Sequence, residues 1–181
     1  MSTDTLDTKS LKVIATADQI HKRIAELAKQ ISQDYRGKTL YAVAVLEDSF
    51  IFMADLVRAL EVPVVCQFLK PEEHVAGETT EIRYSPEVHV EGKDVLLLEG
   101  LVKSGITAEF LMRNMTGRGA SSVKLATFLD KQSERRISLQ PDYFAFLVDE
   151  SFVVGYGMGA PDVGRNLPYL ASIPSRAGKG K

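Results

Sequence analysis

The segment Lys103-Ser104-Gly105-Ile106-Thr107 has the residue types of a phosphate-binding loop. It follows an apolar run and precedes a helix-like stretch. Its backbone N–H groups and two hydroxyls could therefore hold a monoester phosphate at the positive end of a helix. Spacing alone leaves a second interpretation open, an ordinary strand-to-helix turn in which Gly105 serves only the backbone geometry.

A second glycine pattern, Gly155-x-Gly157-x-Gly159, superficially resembles a nucleotide-binding run. It follows a late predicted strand without the helix that a dinucleotide-binding fingerprint requires. The pattern therefore predicts a flexible turn.

The histidines are too scattered to predict a metal centre. His74 lies in the acidic stretch Glu72-Glu73-His74, which is typical of a solvated loop, and His21 and His89 lie far from it in the chain. We therefore predict no dedicated metal site and no cofactor.

Alternating strand and helix patterns must position the loop. Thr16 and Gln19 form a capping box before a helical pattern that continues towards Gly37. Further segments predict alternating strands and helices, which favour an α/β fold with a central parallel sheet. They are strands at 39–46, 62–68, 94–99, 121–129, 143–148 and 152–156, and helices at 50–60 and 106–117.

Two regions depart from this alternation. Lys70 to Glu91 is polar and contains prolines, so it predicts a mobile excursion, although its short EIRYS run could be half of a hairpin. The last third ends in irregular sequence and predicts a small lobe or flap over the sheet. Residues 1–12 and 175–181 are polar, and we expect both ends to be disordered.

Composition limits the classes of partner. The 181 residues, 45% of them hydrophobic, predict one domain, and the net charge of −2 gives no support for a nucleic-acid partner. No apolar run is long enough to span a membrane. One cysteine and a polar start predict a cytoplasmic protein without an internal disulfide. Cys66, in an apolar strand, is expected to be a small core residue.

Three segments together resemble the hypoxanthine-guanine phosphoribosyltransferase family: SFIFMADLVRAL, EGKDVLLLEGLVKSGITAEFL and DESFVVGYGMGAPDVGRNLPYL. The resemblance covers roughly residues 40 to 170. It implies a parallel sheet flanked by helices, topped by a hood, with the active site at the carboxyl ends of the strands. It also implies a reaction in which a 6-oxopurine displaces pyrophosphate from phosphoribosyl pyrophosphate.

The resemblance assigns roles to residues of matching type. The loop from Lys103 to Thr107 falls where the family holds the 5′-phosphate. Lys131 falls on the lysine that donates to purine O6, Phe152 on the aromatic that stacks the base, and Val153 on the residue whose backbone meets the ring edge. Arg165 matches a pyrophosphate contact. A preference for 6-oxopurines follows, because a 6-amino group offers the lysine no acceptor.

Other positions depart from the family. Glu99-Gly100 stands where the family grips the ribose with Glu-Asp, and Lys103 stands at the position of the aspartate general base. A protonated lysine has no lone pair with which to accept a proton, so the base is missing. Glu47-Asp48 replaces a Lys-Gly pair that helps to hold pyrophosphate.

The metal and lid positions depart as well. Gly159 stands where the family has its magnesium-binding aspartate, so the resemblance implies no magnesium ligand here. The Ser-Tyr signature of the family's mobile loop has no clear equivalent in Lys70 to Arg83.

These departures affect catalysis and pyrophosphate binding, whereas the purine and 5′-phosphate positions match. We therefore expect a catalytically impaired protein that binds GMP or IMP as a sensor or regulatory protein and assembles as a dimer or tetramer. Two alternatives stay open: an active transferase that makes IMP or GMP, since positioning alone supplies much catalysis, and a structural partner that uses the fold as a scaffold.

Overall fold

The computed structural model describes residues 10–76, 79–85, 88–159 and 164–173. Residues 1–9 and 175–181 of the termini predicted to be disordered lie outside the described residues, as does residue 174, whereas Lys12, also predicted to be disordered, begins the first strand. The strands are β1 Lys12–Ala15, β2 Leu40–Val45, β3 Val64–Ala76, β4 Thr79–Ser85, β5 Asp94–Val102, β6 Ser122–Asp130, β7 Tyr143–Leu147, β8 Val153–Val154 and β9 Leu170–Ser172. The helices are α1 Ala17–Asp34, α2 Phe50–Ala59 and α3 Ile106–Gly117.

Helix α1 begins at the predicted capping box. The Thr16 side chain accepts a hydrogen bond from the Gln19 backbone N–H, and the Gln19 side chain accepts one from the Thr16 N–H. Its apolar stripe is buried, as helical spacing requires. In the described part of the chain, no helix combines the length and apolar character needed to cross a membrane.

Six strands form the main sheet in the order β4-β3-β2-β5-β6-β7. The five strands from β3 to β7 in that order are parallel, and only β4 is antiparallel. Helices flank this sheet, so the predicted α/β class with a central parallel sheet is confirmed. The carboxyl ends of β2, β5, β6 and β7 meet at one edge of the sheet.

The two faces of the sheet bury separate apolar clusters. Leu96 and Leu98 of β5 belong to the cluster that contains α1 and α2, whereas Val95 and Leu97 belong to the cluster that contains α3. This alternation follows from the two-residue period of a strand. Because both faces are covered, β5 is apolar throughout, and it carries the phosphate-loop segment out of the core at Val102.

The prediction that Cys66 is a core residue is wrong, because Cys66 is exposed. It lies in the part of β3 that pairs with β2 on one side only, since β4 pairs with β3 from Lys70 onwards. Phe68 in the same strand is also exposed. The apolar sequence of this strand therefore does not by itself determine which of its side chains are buried.

The polar excursion after Lys70 is a β-hairpin. Strand β3 extends beyond its predicted end at Phe68 to Ala76, and β4 returns antiparallel with Lys70 opposite Ser85 and Ala76 opposite Thr79. The EIRYS run is therefore half of a hairpin. Residues 77–78 and 86–87 of the predicted mobile excursion lie outside the described residues.

A second, three-stranded sheet in the order β1-β9-β8 forms the predicted small lobe. Lys12 of β1 pairs with Ser172 of β9, which also pairs with Val153 of β8. Strand β8 is shorter than predicted because the chain turns at Gly155, which has a left-handed backbone with φ of 97°. We call this sheet and the connecting residues 155–159 and 164–169 the hood.

Candidate functional site

The phosphate-loop segment lies where β5 gives way to α3. Gly105 has a left-handed φ of 83°, which allows the chain to turn directly from the strand into the helix. The Ile106 N–H lies 3.3 Å from the Ser104 hydroxyl oxygen. Gly105 provides no side-chain cap for α3, and Ile106 and Thr107 are exposed, so the helix N-terminus opens towards solvent.

A cavity of about 250 Å³ lies beside this loop, between the sheet edge and the hood. It brings together predicted site residues from separate parts of the sequence. Its lining residues are Asp48, Leu101, Lys103, Lys131, Val148, Glu150, Ser151, Phe152, Val153, Met158 and Gly159. The Phe152 side chain is 45% exposed, so an aromatic face is available to a planar ligand.

Lys131 is buried at the polar end of this cavity. Its Nζ donates to the Glu150 carbonyl at 2.9 Å and pairs with Glu134 Oε1 at 2.6 Å. Its backbone N–H donates to the Val102 carbonyl, which ties the end of β6 to the end of β5. An ammonium has three protons, so Lys131 keeps one for a ligand acceptor while both contacts remain.

Arg165 pairs with Glu47 and Asp48, which lie in the loop after β2. We call this loop the first loop. Its guanidinium lies 2.9 Å from Asp48 Oδ1 and 3.7 Å from Glu47 Oε2, and its Nε donates to the Gly159 carbonyl at 3.1 Å. Burial raises the pKa of Asp48, opposed by Arg165. The predicted pyrophosphate contact and the two substituted positions therefore form one internal ion-pair cluster, which joins the hood to the loop after β2.

The residues at the family's magnesium position do not fit a magnesium ion. Gly159 has no side chain, and its carbonyl accepts from Arg165. In the described ranges, no three His, Cys, Asp or Glu side chains converge into a possible metal site.

Glu99 and Gly100 lie where β5 passes beneath the first loop. Glu99 is 8% exposed, and its Oε1 has no hydrogen-bond partner among the described residues. Burial raises the pKa of Glu99 to about 7, although Arg135 opposes the change. A Cβ on Gly100 would lie 2.7 Å from both the Asp48 carbonyl oxygen and Met158 Cε, so glycine permits this close packing.

The sequence analysis missed the contact that anchors the hood. Tyr156 has a left-handed φ of 51°, and its hydroxyl donates to Asp55 Oδ2 on α2 at 2.6 Å. Its ring packs on Phe128 with the ring centroids 4.5 Å apart. No local pattern marks Asp55, which has the spacing of an ordinary exposed helical residue.

Replacing Glu99 with glutamine is expected to change how stability depends on pH. The pKa of about 7 in the folded protein, against 4.5 for an ordinary glutamate, means that the unfolded chain loses this proton first. Wild-type stability therefore falls as pH rises from about 4.5 to 7, by about 3 kcal/mol from this group. Glu99→Gln should remove that loss, as measured by urea unfolding at pH 5 and pH 8.

The matched control is Glu61→Gln, which changes an exposed glutamate in the loop after α2. Parallel pH profiles for the wild type and Glu99→Gln would show that the buried carboxyl ionises as it does in water.

Comparison with known proteins gives a consistent result. The sequence matches the Phosphoribosyl transferase domain family over residues 12–160. It is 32% identical to the hypoxanthine-guanine phosphoribosyltransferase of Bacillus subtilis, over 90% of this chain and 92% of that protein. It is 34% identical to the bifunctional protein TilS/HprT of Listeria innocua, of which it spans only 26%.

A solved structure shares the fold. The hypoxanthine phosphoribosyltransferase of Trypanosoma cruzi, in complex with the product IMP, superposes with a TM-score of 0.83 at 31% identity. The match covers 92% of this chain and 96% of that one.

Proposed function

The chain belongs to the phosphoribosyl transferase domain family, and we propose that it binds a 6-oxopurine nucleotide, GMP or IMP, and is impaired as a transferase. A sensor or regulatory protein has these properties. The observation that carries the proposal is the charge layout of the site. The purine and 5′-phosphate residues line two cavities that share Leu101 and Lys103, whereas Arg165, on the pyrophosphate side, is paired with Glu47 and Asp48.

Three features support nucleotide binding. Lys103 lines both the purine-side cavity and a second cavity of about 250 Å³ over the phosphate loop, so one ligand can occupy both. Phe152 provides an exposed aromatic ring for the base, and Lys131 provides a donor for a 6-oxo group. The Trypanosoma cruzi relative is in complex with IMP.

The charges on the other side of the site disfavour phosphoribosyl pyrophosphate. Glu47 and Asp48 are held by two cations, because Arg165 pairs with both carboxylates and Lys70 Nζ lies 3.9 Å from Glu47 Oε1, so the cluster has no net positive charge for a pyrophosphate. A pyrophosphate group would have to displace both carboxylates from the guanidinium. Lys103, at the family's base position, would remain unable to accept the proton.

An active purine-salvage transferase is the second candidate. The observation that favours it is the similarity to hypoxanthine-guanine phosphoribosyltransferases over nearly the whole chain. It requires another way to hold magnesium pyrophosphate.

GMP and IMP are expected to bind without magnesium and to raise the melting temperature. Saturation at a hundred times Kd stabilises a fold by about 2.7 kcal/mol, which corresponds to about 5–11 °C for a domain of this size. AMP should give a smaller shift because its 6-amino group gives Lys131 no acceptor. The measurement is a thermal-shift series in EDTA with AMP, GMP, IMP and phosphoribosyl pyrophosphate.

Two variants test whether the melting-temperature shifts come from a nucleotide bound at this site. Lys131→Met keeps the apolar stem without the ammonium and should abolish the preference for GMP over AMP, whereas Ser104→Ala should weaken both nucleotides alike. Equal shifts with AMP and GMP, or no shift with either, would exclude the binding proposal and favour the scaffold alternative.

A further inference from the structure

A larger basic cavity adjoins the phosphate loop on the side away from the first loop. It has a volume of about 590 Å³ and is lined by Lys103, Ser104, Ser133, Glu134, Arg135 and Arg136. It is a groove open to solvent, since Lys103, Ser133, Glu134 and Arg136 are exposed. Of the residues that line this cavity, only Lys103 and Ser104 also belong to the proposed nucleotide site.

The segment after Lys131 is held directly against the phosphate loop. The Arg136 backbone N–H donates to the Ser104 carbonyl at 3.1 Å. A Cβ on Gly105 would lie 3.3 Å from Arg135 Cδ and from Arg135 Nη1, so the two segments are in close contact. A ligand that extends from the loop past Ser104 therefore enters the neighbourhood of Arg136.

Two of the lining cations have no carboxylate within ion-pair distance in the described chain, although Glu134 attracts both of them and Asp48 attracts Lys103. Glu134 is paired with Lys131 at 2.6 Å, and Arg135 is paired with Asp130. Lys103 and Arg136 form no ion pair within the parts of the chain that the structure describes. Arg135 Nη1 is buried and lacks a hydrogen-bond partner there as well.

The opposite side of the loop carries no net charge. The lining side chains of the basic cavity carry three positive charges and one negative charge, a net of +2, whereas Glu47, Asp48, Arg165 and Lys70 sum to zero. A second phosphate group beside the 5′-phosphate is therefore attracted more strongly towards Arg136 than towards the first loop. Arginine also matches phosphate geometry through paired donors.

We infer that the basic cavity holds a second phosphate, so that the preferred ligand is a purine nucleoside 5′-diphosphate rather than a monophosphate. The inference rests on the proposed nucleotide binding and specifies its ligand. The first phosphate lies on the loop from Lys103 to Thr107, and the second lies between Lys103 and Arg136.

Isothermal titration of the full chain with GMP and GDP, in EDTA, tests the inference. GDP is expected to bind at least about tenfold more tightly than GMP, which corresponds to about 1.4 kcal/mol. Arg136→Ser should reduce GDP affinity to that of GMP and leave GMP affinity within about twofold. The matched control is Arg113→Ser on α3, an exposed arginine paired with Glu109 outside the cavity, which should preserve the preference.

The outcomes separate this inference from the function on which it rests. If GMP binds and GDP binds no more tightly, the second phosphate site is excluded while nucleotide binding stands. An unchanged preference in Arg136→Ser, or an equal loss in Arg113→Ser, also overturns the inference. If neither nucleotide binds, both proposals fail.

Discussion

Purified protein is expected to make IMP or GMP from phosphoribosyl pyrophosphate and magnesium with a kcat far below about 1 s⁻¹, the lower end for ordinary enzymes. By the family resemblance, Lys103 stands at the position of the general base, and Glu47 and Asp48 stand on the pyrophosphate side. A unit-charge pair about 4 Å apart at an effective dielectric of about 20 is worth about 4 kcal/mol before solvent screening, so the two carboxylates, which are about half exposed, should weaken phosphoribosyl pyrophosphate binding. A coupled pyrophosphate-release assay measures the rate.

Restoring the base alone is the sharpest control. Lys103→Asp should remain inactive, because the first loop would still repel pyrophosphate and Gly159 would still offer no carboxylate. Recovery should also require Glu47→Lys, Asp48→Gly, Gly100→Asp and Gly159→Asp. A magnesium-dependent kcat of about 1 s⁻¹ or more, in the wild type or in Lys103→Asp, contradicts this account and favours the active-transferase candidate.

The structure explains why the ribose position cannot be repaired in isolation. A Cβ at Gly100 would lie 2.7 Å from the Asp48 carbonyl oxygen and from Met158 Cε. Met158 can rotate, but the Asp48 backbone must shift. Gly100→Asp therefore depends on a change in the first loop.

Gly155→Ala is expected to destabilise the protein by at least about 4 kcal/mol, in the range reserved for severe core defects. The residue has φ of 97°, and an added Cβ would overlap the carbonyl oxygen of Tyr169, which is backbone and cannot rotate away. The expected fall in melting temperature is about 8–16 °C. Differential scanning calorimetry measures the melting temperature. If Gly155→Ala gives no soluble folded protein, the destabilisation is larger than the expected value.

Gly37→Ala provides the matched control. Gly37 has a similar left-handed φ of 77°, but nothing lies within 4 Å of an added Cβ. Its cost should be only the backbone strain, about 1–2 kcal/mol. Similar losses in the two variants would show that the packing of the hood turn against Tyr169 contributes little.

The sequence predicted the elements whose signals are local. The capping box of Thr16 and Gln19 fixed the start of α1, and the boundaries of α3 agree with the prediction. The apolar strands of the sheet were also predicted, because a strand covered on both faces is apolar throughout. With the family resemblance, the residue types at the site positions could be assigned before their geometry was known.

Exposure and non-local pairing were decided only by the tertiary structure. Cys66 is exposed, in a part of β3 that pairs with β2 on one side only, although its local sequence is apolar. The pairing of β1 with β9 joins the two ends of the described chain. Neither depends on residues that are close in sequence.

The charges of the site show the same division. The sequence determined that Glu47, Asp48 and Arg165 carry opposite charges, but they lie far apart in the chain. Only folding the hood over the sheet brings them within ion-pair distance. Likewise, the sequence of the segment after Lys131 contains two arginines, and only the contact between Arg136 and Ser104 turns them towards the phosphate loop. Residue type is a local property, whereas the distance between charges, which sets their energy, is a property of the whole fold.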